Sequence, residues 1–161
     1  MGRIITTNII SGFPAIGKSY LADHFPTLAR DLESSHWHWV INQGGKEPNP
    51  NWPGNYIEQI AALDKSGMYR IVCVSSHQLI RTEMAKAGIK YSNIVPADDE
   101  IVKAIILQRC KDRHSPDAFI ADLEEHYSEY VQSMINDPNA TKVMILTKDT
   151  LMQWDAIALM E

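Results

Sequence analysis

Along this chain, short continuous apolar runs alternate with longer segments in which apolar residues recur every three to four positions. "TTNIIS" (Thr6–Ser11) reads as a first strand. A helix follows from about Gly17 to His24, and Pro26 ends it. "TLARDLE" (Thr27–Glu33) reads as a weaker second strand. "NYIEQIAAL" (Asn55–Leu63) is helical, with Ile57, Ile60 and Ala61 on one face and Gly67 at its end. "YRIVCVSS" (Tyr69–Ser76) is continuous and β-branched, as an interior parallel strand should be. "QLIRTEMAKAG" (Gln78–Gly88) predicts a helix with Leu79, Ile80 and Met84 inward and Gly88 as its stop. "KYSNIVP" (Lys90–Pro96) is a fourth strand, followed by helices over about Asp98–Arg109 and Pro116–Met134. Ser115 and Pro116 are expected as N-cap and first helical residue of the latter. Phe119, Leu123, Tyr127, Tyr130 and Met134 predict one buried stripe on it. "KVMILT" (Lys142–Thr147) is a fifth strand, and Leu151–Met160 a closing helix.

This alternation predicts a three-layer α/β sandwich around a five-stranded parallel sheet. One stretch breaks the pattern. Ser34–Asn55 carries Trp37, Trp39 and Trp52, a Gly-Gly pair and three prolines, and is expected to be irregular. A loop that long in a small domain more often serves function than connection.

A length of 161 residues suits a single domain, and the 45% hydrophobic fraction can fill one core. The net charge of −5 argues against a broad nucleic-acid surface, so any polynucleotide contact is expected to be local. No run approaches the roughly 18 apolar residues of a membrane span, so no membrane partner is expected. The N-terminus is too polar for a signal peptide, and Gly2 fits a myristoylation motif poorly. Cys73 and Cys110 read as thiols in a reduced compartment. A cytoplasmic location follows as the expectation.

The strongest chemical signal is "GFPAIGKS". Gly12 to Ser19 match G-x-x-x-x-G-K-[ST] in full, after an apolar strand and before a helix. Glycines let such a loop curl so that successive amides face phosphate oxygens. The backbone of Gly12, Ala15, Ile16, Gly17, Lys18, Ser19 and Tyr20 is expected around the phosphates of ATP. Lys18 is expected on the β- and γ-phosphates and Ser19 on Mg²⁺.

Motors and switches with this loop usually end a strand in Asp; here the corresponding run ends "CVSSHQ". "RDLESS" offers Asp31 and Glu33 instead, two apart and so on one face of a strand. Asp31 is expected as general base or Mg²⁺ contact, and Glu33 as a secondary metal or acceptor contact; a solvated acidic turn is the alternative. A base suits a hydroxyl acceptor, because a phosphate acceptor is already anionic.

Trp37, Trp39, Trp52 and Tyr56 offer flat faces for a nucleobase, each worth on the order of 1–3 kcal/mol when stacked. One of them is expected to face the acceptor while the others bury the loop. Ser75 and Arg81 are expected at the rim of the same crevice. His77 is a further candidate there, whereas His36 and His38 lack the clustered partners of a metal site. Arg109 and Arg113, with Lys111 between them, are expected on a lid over about residues 108–117, neutralising charge in phosphoryl transfer. A solvated helix end is the alternative.

With these motifs, the chain resembles small phage-type P-loop kinases. The likeness rests on "GFPAIGKS", "DLESSHW", "YRIVCVSSH" and "QRCKDR". It implies a sheet order of 2-3-1-4-5, ATP with Mg²⁺, and an acidic base after the second strand, here Asp31. Relatives include nucleotide kinases and phage kinases of 5-hydroxymethyluracil in DNA. The resemblance therefore implies transfer of the γ-phosphate to a nucleotide-type acceptor, with modified DNA contacted locally in the host cytoplasm. A soluble deoxynucleoside monophosphate kinase and a nucleotide-binding regulatory module are the competing expectations. The first helix is short for this family, and no adenine-binding signature stands out.

Overall fold

The computed structural model describes residues 6–151. Gly2 and all but the first residue of the closing helix expected at Leu151–Met160 lie outside the described residues.

Strand β1 (Asn8–Gly12) runs into the glycine loop and helix α1 (Lys18–His24). β2 (Ala29–Asp31) follows, then a short helix α2 (Ser35–His38) and two strands, β3 (Trp39–Asn42) and β4 (Gly45–Pro48). Helix α3 (Gly54–Ser66), β5 (Ile71–Val74), α4 (Gln78–Lys86) and β6 (Tyr91–Pro96) come next. Helices α5 (Glu100–Asp112) and α6 (Asp117–Ile135) then lead to β7 (Val143–Leu146).

The main sheet has five strands in the order β2-β5-β1-β6-β7, all parallel. Leaving out the β3–β4 pair, this is the expected 2-3-1-4-5 order. The chain leaves β1 for β2 on one side and later reaches β6 on the other. The carboxyl end of β1 is therefore a topological switch point, where such sheets open a crevice.

The Ser34–Asn55 stretch, expected to be irregular, is instead organised. β3 and β4 form an antiparallel hairpin with Asn42 opposite Gly45. Gly45 adopts φ +112°, and the Asn42 side chain accepts from the Gly44 amide at 2.9 Å. The Gly-Gly pair thus supplies the turn rather than a floppy loop.

The stripes differ from expectation at two places. On α4, Ile80 and Met84 are buried as expected, but Leu79 is 49% exposed and Arg81 is buried in its stead. The inward face has swung toward Arg81, whose guanidinium meets Asp137 at 2.9 Å, Ser133 Oγ at 2.7 Å and the Ser76 carbonyl at 3.0 Å. On α6, Val131 is buried and Tyr130 is exposed. The backbone leaves helical geometry at His126 (φ −111°, ψ 16°), yet Leu123, Tyr127, Val131 and Met134 still form one buried face at helical spacing. Tyr130 turns outward, its hydroxyl donating to Asp122. The expected Ser115 cap is also absent, since its hydroxyl accepts from Arg113 Nε and Pro116 takes the N-cap position.

Cys73 and Cys110 are buried free thiols. No helix among the described residues is long and apolar enough to cross a membrane.

Candidate active site

The site begins where β1 ends. Ala15 adopts φ +64° and Gly17 φ +106°, so the loop between β1 and α1 contains two left-handed residues. Such reversals turn neighbouring amides toward one centre and make a concave anion nest. Gly12 permits the loop to close: a Cβ there would lie 2.8 Å from Lys18 Cδ and 3.0 Å from Ile16 Cδ1. Lys18 folds back across the loop, its ammonium donating to the Gly12 carbonyl at 2.8 Å. Burial lowers the Lys18 pKa below the ordinary lysine value, with Arg113 acting in the same direction; Asp31 and Glu33 oppose. The two carboxylates, on one segment, and Arg113, on another, thus lie within electrostatic reach of the lysine.

Ser19, in the first turn of α1, donates to Asp31 Oδ2 at 3.1 Å. The β2 register places Asp31 in one row with Cys73 and Ile10, so its side chain shares the face that α1 covers. Beside the pair, a cleft of about 370 Å³ opens between α1 and β2, lined also by Asp23, Arg30 and Tyr69. A hydroxyl and a carboxylate at this separation are the oxygen donors Mg²⁺ takes from protein while phosphates and water supply the rest. Among the described residues, no group of three His, Cys, Asp or Glu side chains could hold a metal by itself. The donor set therefore suits a cation shared with a phosphate.

Glu33 is exposed, two residues beyond Asp31. Ser75 sits just past β5 with its groups engaged: the carbonyl accepts from Ser11 Oγ, the hydroxyl from the His77 amide, and its amide donates to Tyr56. His77 takes the N-cap position of α4, and desolvation, then the charges of Lys18, His38 and Arg81, lower its pKa.

The aromatic residues form a ladder. His38 stacks on Trp39 at 4.3 Å and on Trp52 at 4.4 Å, and Lys46 Nζ lies 4.4 Å from the centre of the Trp39 ring. Trp52 and Trp37 pack on Tyr56 at 5.5 and 5.7 Å. Tyr56 is 0% exposed, so the stacking role expected of it falls: there is no open face for a base to meet. Trp37 and Trp52 are half-buried against the core, and Trp39 sits on the hairpin beside Ile41, which is 86% exposed. Arg81 is likewise corrected. Its guanidinium is enclosed by Asp137 and Ser133 and is not offered to an acceptor.

Arg109 reaches the loop rather than open space, donating to the Ala15 carbonyl at 3.0 Å and to the Leu151 carbonyl at 3.2 Å. Arg113 is exposed and bonded to Ser115. The segment expected as a lid is formed by the last turn of α5 and a tight turn at residues 113–116, in which His114 takes φ +58°. Tyr20 is 64% exposed and stacks on His24 at 3.8 Å, leaving only its backbone near the loop.

No local pattern marks the Lys46 cap on Trp39, or Tyr56 as a hydrogen-bonding hub. The Asn42–Gly45 turn signal could have revealed the hairpin and, with it, the pairing of Ile41 with Lys46.

A gluconokinase from Sinorhizobium meliloti 1021 aligns over 91% of this chain and 84% of its own, with a TM-score of 0.49 and 11% sequence identity. No family model matches the chain. No curated protein matches it either.

Proposed function

We propose that the protein is an ATP-dependent phosphotransferase that moves the γ-phosphate to a hydroxyl of a nucleobase- or nucleoside-type acceptor. The observation that carries this reading is the Ser19–Asp31 pair at the rim of the glycine loop, within reach of Lys18. The loop amides and Lys18 hold the triphosphate. Asp31 accepts the proton as the acceptor oxygen bonds to the γ-phosphorus, and the bond to the β-phosphate oxygen breaks, releasing ADP. Ser19 and Asp31 would hold Mg²⁺, which would supply positive charge to the phosphates. Arg113 stands where it can add positive charge as the transfer proceeds.

The specific acceptor we propose is 5-hydroxymethyluracil in DNA, whose alcohol needs a base and whose ring suits an aromatic surface. The hairpin with Trp39, Lys46 and exposed Ile41 supports a local contact with a strand. Transfer of labelled γ-phosphate to oligonucleotides with and without the modified base tests this. Label on free mononucleotides alone would reject it and favour the second reading, a deoxynucleoside monophosphate kinase. That alternative draws on Arg109, bonded to the Ala15 carbonyl, and on Arg113, whose charge reaches Lys18.

A further inference from the structure

We infer that Tyr56 is a positioning residue for the catalytic carboxylate, an inference that rests on the role proposed above for Asp31. The Tyr56 hydroxyl donates to the Leu32 carbonyl at 2.7 Å and accepts from the Ser75 amide at 3.1 Å. Leu32 lies between Asp31 and Glu33, and Ser75 is the first residue past β5. One phenol therefore ties together two strand tips just where the sheet ladder ends. The relay continues: the Ser75 carbonyl accepts from Ser11 Oγ at 3.2 Å, and Ser11 precedes Gly12 of the phosphate loop. A single row of hydrogen bonds thus runs from the carboxylate strand to the phosphate loop.

The geometry gives the ring little freedom. Tyr56 is fully buried, and Trp37 and Trp52 press on it from the Ser34–Asn55 segment. The phenol holds its proton at neutral pH, and burial raises its pKa further. A shift of the aromatic segment on its acceptor would bear on Asp31 through this one ring.

The test uses Mn²⁺ as the metal probe and ADP as the nucleotide. Y56F keeps the ring and removes both hydrogen bonds. It is expected to weaken Mn²⁺ binding to the ADP complex roughly tenfold, read by electron paramagnetic resonance, in line with what outer-shell partners of a metal ligand usually contribute. Metal-free ADP affinity should stay within about twofold, because the loop itself is untouched. S11A severs the next link and should weaken Mn²⁺ in the same direction, by less. Faster hydrogen exchange at the Ser75 amide in Y56F would show that the bond existed in solution.

D31N in the same assay separates the two ideas. Weaker Mn²⁺ binding in D31N but not in Y56F overturns the positioning role and leaves the Asp31 reading standing. Unchanged Mn²⁺ binding in D31N removes Asp31 as a metal contact and overturns the inference with it, while labelled-phosphate transfer by D31N reads its role as base separately. Equal loss of metal-free ADP affinity in Y56F marks the tyrosine as general support and also overturns the inference.

Discussion

The Ser19 hydroxyl donates to Asp31 at 3.1 Å, joining the start of α1 to the end of β2. Twelve residues and a change of element separate them, yet the sheet places β2 two strands from β1 and α1 across that gap. A hydroxyl that follows the loop lysine and a carboxylate on a neighbouring strand tip are the two groups that a phosphate-bound cation and an attacking alcohol both need.

Replacing Asp31 with Asn keeps the shape and removes the charge. Transfer to a hydroxyl acceptor should fall by about 10²- to 10⁴-fold, the usual contribution of a positioned base. Metal-free nucleotide affinity, read by calorimetry, should change little. Substantial retained transfer would favour an anionic acceptor that needs no base.

Gly12→Ala tests the loop by volume alone. The added Cβ would meet Lys18 Cδ at 2.8 Å and push the lysine stem out of its path. Affinity for Mg·ATP should drop at least about tenfold, the equivalent of roughly 1.4 kcal/mol. Gly54→Ala is the control. Nothing lies within 4 Å of the Cβ it would add, and its position at the start of α3 favours a helix former. Its affinity should match that of the wild type. Titration calorimetry on both variants decides the matter.

The strands and the loop were legible because their signals are local. The apolar run of β5, the glycine spacing and Gly67 at φ +61° after α3 each act within a few residues. The place of Asp31 at the end of β2 was legible for a related reason, since a residue at a strand tip can be placed once the strand is. Partnerships across the chain were not. Arg81 and Asp137 lie 56 residues apart, and no periodicity marks that bond, so Arg81 looked like a free cation near the crevice. Tyr56 looked like a stacking surface because its two backbone partners, at positions 32 and 75, carry no mark in the sequence. The α6 stripe differs at Tyr130 because spacings of three and four both fit one helix face, so Tyr127 and Met134 alone do not tell Tyr130 from Val131.

Arg81 and Asp137 should govern stability rather than transfer. Their side chains are 6% and 3% exposed, and Tyr91 and Asn93 also donate to the same Asp137 oxygen, at 2.7 and 3.1 Å. Arg81→Met leaves that carboxylate with one charge unpaired, at an expected cost of about 3–5 kcal/mol in chemical denaturation. Burial pushes the Asp137 pKa up, but hydrogen bonds from Tyr91, Arg81, the Asn139 amide and Asn93 outweigh it and hold the pKa below 3.8. The unfolded chain therefore takes up this proton first. The stabilisation is complete above pH 3.8 and is lost as pH falls through the lower folded value. Asp137→Asn should be less stable at neutral pH and should show a shallower loss below it.

Arg109 and Arg113 should separate cleanly, although they lie four residues apart at the end of α5. Arg109 is bonded to the Ala15 carbonyl and to the Leu151 carbonyl, so it braces a loop residue held at φ +64°. Arg109→Ala should lower the thermal midpoint and weaken nucleotide binding about tenfold, since charged hydrogen bonds are each worth roughly 1.5–3 kcal/mol. Arg113 is exposed and bonded only to Ser115 among the contacts described, while its charge reaches Lys18. Arg113→Ala should leave the midpoint and the ground-state affinity nearly unchanged. Its kcat should fall about 10²-fold, because a cation that acts on developing charge matters most at the transition state. Differential scanning fluorimetry with single-turnover kinetics reads both variants. A reversed pattern, with Arg113→Ala unfolding early and Arg109→Ala losing only kcat, would make Arg109 the group that meets the moving phosphate.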